Sequence, residues 1–128
     1  MKALAPWVDG AREFNAGRYF EAHEALEDAL DDVPEELWSL FVGLIQIAVG
    51  YHKLTQGLTS GAIRMLGLGL DKLASFADDA GGLDVSALRD RAHADLERLR
   101  AGRLDPTELG RDPPRMRPAR RTMPRRAS

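Results

Sequence analysis

Leu37–Leu54, LWSLFVGLIQIAVGYHKL, decides the fold. Its apolar residues fall on every side of a helical wheel, and a helix of that kind has to be packed all round. The stretch is therefore expected to form the central helix of a domain, over about residues 35–55. Two polar side chains, Gln46 and His52, interrupt it. A buried polar group left unpaired costs about 1–3 kcal/mol, so whatever faces these two is the first place to look for a site.

The flanking sequence supplies helices to pack around it. Upstream, Pro6 with Trp7, Ala11 and Phe14 at helical spacing predicts a helix over residues 5–15, closed by Gly17. A second helix should run from Tyr19 to Leu30 and stop before Pro34, which disfavours helical geometry in the residue ahead of it. On it Ala22, Leu26, Ala29, Leu30 and Val33 share the core arc and Glu21, Glu24, Asp28 and Asp32 face away. His23 and Glu27 lie on the boundary, one turn apart and able to touch.

Within the central helix Gly43, Ala48 and Gly50 lower helix propensity, by about 1 kcal/mol per glycine, which implies that another backbone approaches closely there. Downstream, Thr59 or Ser60 can cap a fourth helix with an apolar stripe from Ala62 to Phe76, ending by Gly81-Gly82. Leu68 points off that stripe, as an exposed leucine or a piece of an interface, which leaves a homo-oligomer open. Asp84 is an N-cap for a fifth helix with a seam of Val85, Leu88, Ala92, Leu96 and Leu99, closed by Gly102, and His93 is a surface histidine. The fold class is thus all-α, a compact bundle of about five helices around a central buried one, occupying residues 1–103.

Charge divides the chain in two. Residues 1–102 carry ten Lys/Arg against seventeen Asp/Glu, a balance of −7, and residues 103–128 carry eight Arg against three acids, a balance of +5. The second part holds five of the seven prolines and almost no large apolar groups, so residues 104–128 are expected to be a disordered tail with nothing to bury. Zero cysteines exclude a disulfide framework and thiolate metal sites. The start MKALAPWVDG lacks the apolar run of a signal peptide, and Ser39, Gln46, His52 and Lys53 break the central stretch short of the ~20 clean apolar residues of a membrane span. The expectation is a soluble, cytoplasmic protein with no membrane partner.

The segments F-N-A-G-R-Y-F-E-A-H-E-A-L-E at Phe14–Glu27, G-L-I-Q-I-A-V-G-Y-H at Gly43–His52 and G-A-I-R-M-L at Gly61–Leu66 together resemble the small helical family catalogued as domain of unknown function 309, over roughly residues 5–100. The resemblance implies a compact all-helical bundle and no established activity. Its recurrent polar residues fall on His23, Glu24, Glu27, Gln46 and His52. Two positions depart from the family pattern: Leu30 stands where Trp is usual, and Gln56–Thr59 lacks a Gly-Asn pair.

His23, Glu24, Glu27, Gln46 and His52 are accordingly the candidate ligand-binding cluster, between the second and third helices. One reading makes it a hydrogen-bonded network that fixes helix pairing, and another makes it a pocket for a small molecule or partner. A third takes His23, Glu27 and His52 as two imidazoles and a carboxylate around a divalent metal, the ligand set of catalytic zinc or non-haem iron. The turn Asn15-x-Gly17-x-Tyr19-x-x-Ala22 also resembles that of a tetratricopeptide repeat, a peptide-binding unit, with only a faint echo at Gly57–Ala62. Six arginines in residues 115–128 could contact nucleic-acid phosphates weakly, although the −7 body would repel them. The tail could instead dock on the acidic face of Glu21, Glu24, Asp28 and Asp32.

Overall fold

The computed structural model describes residues 5–120. Six helices follow one another: α1 Val8–Asn15, α2 Tyr19–Asp28, α3 Glu35–Thr55, α4 Thr59–Leu73, α5 Val85–Arg100 and the single turn α6 Glu108–Arg111. Short 3-10 turns, Ala29–Asp32 and Ala80–Gly82, follow α2 and precede α5. The fold is an all-α bundle, and among the described residues the sole β feature is one antiparallel bridge between Leu83 and Pro118.

α3 is the centre. It packs mainly on α4 and α2, and it buries Leu40, Phe41, Leu44, Ile47, Ala48, Tyr51 and Leu54. By length and composition α3 also passes the test for a membrane span, with mean hydropathy 1.3, contrary to the sequence argument against it, yet half of the apolar window is buried inside the bundle. Packing is not all round: Trp38, in the second turn, is 50% exposed.

Two glycines let α3 and α4 touch. A Cβ built on Gly69 would lie 2.8 Å from the Gly43 carbonyl oxygen and 2.8 Å from Ile47, and one on Gly43 would lie 3.2 Å from the Gly69 carbonyl oxygen. The close approach expected at Gly43 is thus met by a second glycine on α4. Alanine at Gly69 gains roughly 1 kcal/mol of helix propensity but overpacks a backbone contact that cannot swing aside, which costs about 1–3 kcal/mol or more. Gly69→Ala should therefore lower the chemical-denaturation midpoint. Gly67→Ala, whose Cβ meets nothing within 4 Å, should raise it; equal behaviour of the two would refute the backbone contact.

Helix ends follow the glycines. Gly17, Gly57 and Gly102 sit at φ +81°, +75° and +67° after α1, α3 and α5, where a side chain would be strained. The turn after α1 and the turn after α3 share one hydrogen-bond pattern: Arg18 N–H donates to the Glu13 carbonyl at 2.9 Å and Leu58 N–H to the Lys53 carbonyl at 2.9 Å. Asp84 caps α5 as expected, its Oδ1 accepting from the Ala87 N–H at 2.9 Å. The other cap is corrected: Leu58 precedes α4 and no side chain caps it, and α4 ends at Leu73 rather than near Gly81. There Arg89 donates to the Leu73 and Phe76 carbonyls and to Asp78.

Residues 104–120 overturn the expectation of a tail with nothing to bury. Leu109 is 5% and Met116 1% exposed, both part of the core. Asn15 Nδ2 donates to the Met116 carbonyl at 2.9 Å, and the Met116 N–H donates back to Asn15 Oδ1 at 2.7 Å. The ion pairs run opposite to the expected docking on α2, because arginines of α5 hold acids of the C-terminal segment: Arg98 with Glu108 at 2.8 Å and Arg91 with Asp112 at 3.7 Å. The rest of the expected tail, residues 121–128, lies outside the described residues.

Candidate functional site

α2 and α3 bring most of the expected cluster to one end of the bundle, where α2 and α4 begin and α3 ends. His23 Nε2 lies 3.0 Å from Glu27 Oε1, the i to i+4 contact expected of the boundary pair. His23 Nδ1 lies 3.1 Å from the Phe20 carbonyl oxygen. Both ring nitrogens thus face oxygen acceptors, and only the doubly protonated ring donates to both. Glu27 is 54% exposed along its side chain, so the pair contributes only a few tenths of a kcal/mol.

Between the histidines stands Phe20, which the sequence reading did not single out. Its ring centroid is 5.2 Å from that of His23 and 5.4 Å from that of His52, and the side chain is 46% exposed. A large aromatic group left open at this level of exposure is the signal that could have found it, since Phe is ordinarily among the buried residues. Phe20, His23, Val49, His52 and Lys53 line a cleft of about 240 Å³.

Two residues of the expected cluster, Glu24 and Gln46, are not brought in. Glu24 is exposed and takes part in none of the described hydrogen bonds. Gln46 lies six residues before His52, about 9 Å along α3, and outside the cleft; its Oε1 is buried with no hydrogen-bond partner among the described residues. No hydrogen bond joins His23 or Glu27 to Gln46 or His52 among the described residues, so the shared network is corrected: each imidazole packs on the Phe20 ring instead. The proposed metal triad fails on the same geometry, because no group of three or more His, Asp or Glu among the described residues is placed to hold an ion.

A second polar centre went unread. Tyr51 on α3 donates through its hydroxyl to Asp95 Oδ2 at 2.6 Å, and Arg91 Nε donates to the same oxygen at 2.9 Å. Asp95 is 3% exposed, the one buried charged residue among those described. Arg91 continues the chain of bonds to the Asp112 carbonyl. The Tyr51 ring packs against Phe14 and Tyr19 at centroid distances of 5.7 and 5.6 Å. Burial first, then the Asp95 charge and hydrogen bond, hold the Tyr51 hydroxyl well above its ordinary value, and burial pushes Tyr19 up to about 12. The signal was available: Asp95 stands three residues after Ala92 and four before Leu99, on the apolar seam of α5.

The family comparison bears on the first of these centres. Residues 7–65 match the domain of unknown function DUF309. This is the family that the Phe14–Glu27 and Gly43–His52 segments resemble, and the match covers α1 to the first half of α4 with every lining residue of the cleft. Asp95, Arg91 and the C-terminal segment lie beyond the DUF309 match. No curated protein and no solved structure matches the chain.

Proposed function

We propose that this protein is a binding module whose α2/α3 cleft takes a small molecule with a flat apolar part and an anionic group. The observation that carries the reading is the half-exposed Phe20 ring, 5.2 and 5.4 Å from the two imidazole rings and part of the cleft lining. A ring left 46% exposed forgoes about half of the ~1.5–3 kcal/mol that full burial is worth, and a ligand seated on it recovers part of that. Val49 supplies an apolar wall, and Lys53 with the His52 ring N–H supplies donors for an anion.

Screening a library of aromatic carboxylates and phosphates by NMR tests this directly, with the imidazole Cε1–H signals as reporters. Binders are expected to move the His23 and His52 signals together and to leave the exposed His93 still. Phe20→Ala should weaken such a binder by at least about tenfold, the worth of one aromatic stacking contact. A screen in which no compound moves both signals, or a binder indifferent to Phe20→Ala, would reject the cleft as a ligand site and leave His23, Glu27 and His52 with structural roles.

A further inference from the structure

Away from the residues that line the cleft, the C-terminal segment adds Met116 to the core but is otherwise attached as a bound peptide is. From Asp112 to Ala119 it forms no helix, and its described hydrogen bonds are mainly through the backbone. Asn15 grips both peptide groups of Met116, at 2.9 and 2.7 Å. The Asp84 N–H donates to the Arg117 carbonyl at 2.8 Å, and the Ala119 N–H donates to the Gly82 carbonyl at 2.8 Å, around the Leu83–Pro118 bridge. These bonds read no sequence, and the pair around the bridge is of the kind that β-strand addition uses.

Side chains add two further features. Of residues 112–119 only Pro114 and Met116 are buried, and Met116 fills an apolar hole at 1% exposure; methionine suits such a hole because it is unbranched and adaptable. Arg115 and Arg117 remain outside and share a cleft with Asp84 and Asp112. Ala119 and Arg120 lie against Asp78, Asp79 and Asp84. The surface beneath the segment is therefore acidic along its rim and apolar at one point, complementary to what lies on it.

We infer that the channel between Asn15 and the Gly82–Asp84 edge is a groove for an extended peptide bearing an apolar side chain between basic residues, and that the chain's own residues 112–119 fill it in cis. Tethering gives the segment an effective concentration in the millimolar range, so a peptide from another molecule enters only when the cis segment lets go. The groove is separate from the Phe20 cleft, and neither needs the other.

The test uses the full-length chain and a fluorescent peptide spanning Gly110–Arg120. Met116→Glu in the protein should loosen the cis segment, and that variant should bind the peptide at least about tenfold more tightly than the wild-type chain does. Adding Asn15→Ala to the variant should abolish binding. A scrambled peptide of the same composition should bind neither protein. The inference is overturned if the folded Met116→Glu chain ignores the peptide, or if it takes the scrambled one equally well. Hydrogen exchange on the wild-type chain tests it independently of whether the variant folds: the Met116 and Ala119 amides should exchange by local opening, at least about tenfold faster than the hydrogen-bonded amides of α3. Equal protection would make the segment an integral part of the core and end the proposal.

Discussion

Replacing Asp95 by alanine should cost about 3 kcal/mol and lower the melting temperature by roughly 12 °C. The carboxylate is 3% exposed and accepts from both the Tyr51 hydroxyl and the Arg91 guanidinium, so its removal leaves a buried hydroxyl and a largely covered cation without a partner. Arg91 keeps 27% of its side chain in solvent, which is why the lower end of the range for a broken buried pair applies. Tyr51→Phe deletes one charge-assisted bond and leaves the ion pair, and should cost less, about 1.5–3 kcal/mol. The same network fixes a pH dependence. Both tyrosines titrate above the ordinary value of 10.0 in the folded protein, so the native state holds their protons more tightly than the unfolded chain. That part of the stability is complete below pH 10 and is lost as the pH rises through the raised native values. Since the chain has only these two tyrosines, phenolate absorbance should be absent from the folded protein at pH 10–11. Its appearance there, without unfolding, would contradict the buried network.

Deleting residues 105–128 should also destabilise the protein, by about 2–5 kcal/mol, with a fall in melting temperature on the order of 10 °C and little change in helix content. Composition alone argues for no effect, because the segment is rich in proline and arginine. The structure reverses that: Met116 and Leu109 are core residues, and Arg91 and Arg98 of α5 each hold an acid of the segment. Truncating Met116 to alanine should account for much of the loss, since large-to-small changes at buried methionine cost about 2–5 kcal/mol. An unchanged melting curve on deletion would mean that the segment does not pack and would restore the disordered tail.

These two cases show what a sequence gives up readily and what it withholds. The all-round apolar run of Leu37–Leu54 led to α3 as the central helix, and Gly43 led to a backbone contact whose partner, Gly69, only the three-dimensional packing could identify. The His23–Glu27 contact was legible because it is local, set by the spacing of one helical turn. The extended cluster was misjudged on information the sequence held: Gln46 stands six residues before His52, about 9 Å along the axis and about 120° round it, too far to share one site on α2. Phe20 was passed over although it lies about 130° from the centre of the α2 core arc, between Glu27 and Glu24 on the wheel, where a phenylalanine is out of place. Tyr51 was missed because it was counted with the apolar run of α3, and Asp95 because an acid beside the α5 seam reads as solvated until its partner on another helix is known. The C-terminal segment was misjudged because composition weighs side chains, and this segment is held largely through its backbone.

The Asn15–Met116 contact joins residues 101 positions apart in the chain, whereas the helix pairs that build the bundle are chain neighbours, α1 with α2, α2 with α3, α3 with α4 and α4 with α5. Folding can therefore proceed by local hairpins that dock in sequence, which is the rapid regime for helical chains. Joining Asn15 to Met116 before the bundle exists would mean closing a loop of about a hundred residues, with an entropy cost that grows as the logarithm of its length. Once the helices have docked, that loop is already closed and only the short stretch after α5 has to be ordered. The last contact to form in folding is then this clasp between the two ends of the domain, and it is the first that a nascent or damaged chain would lack.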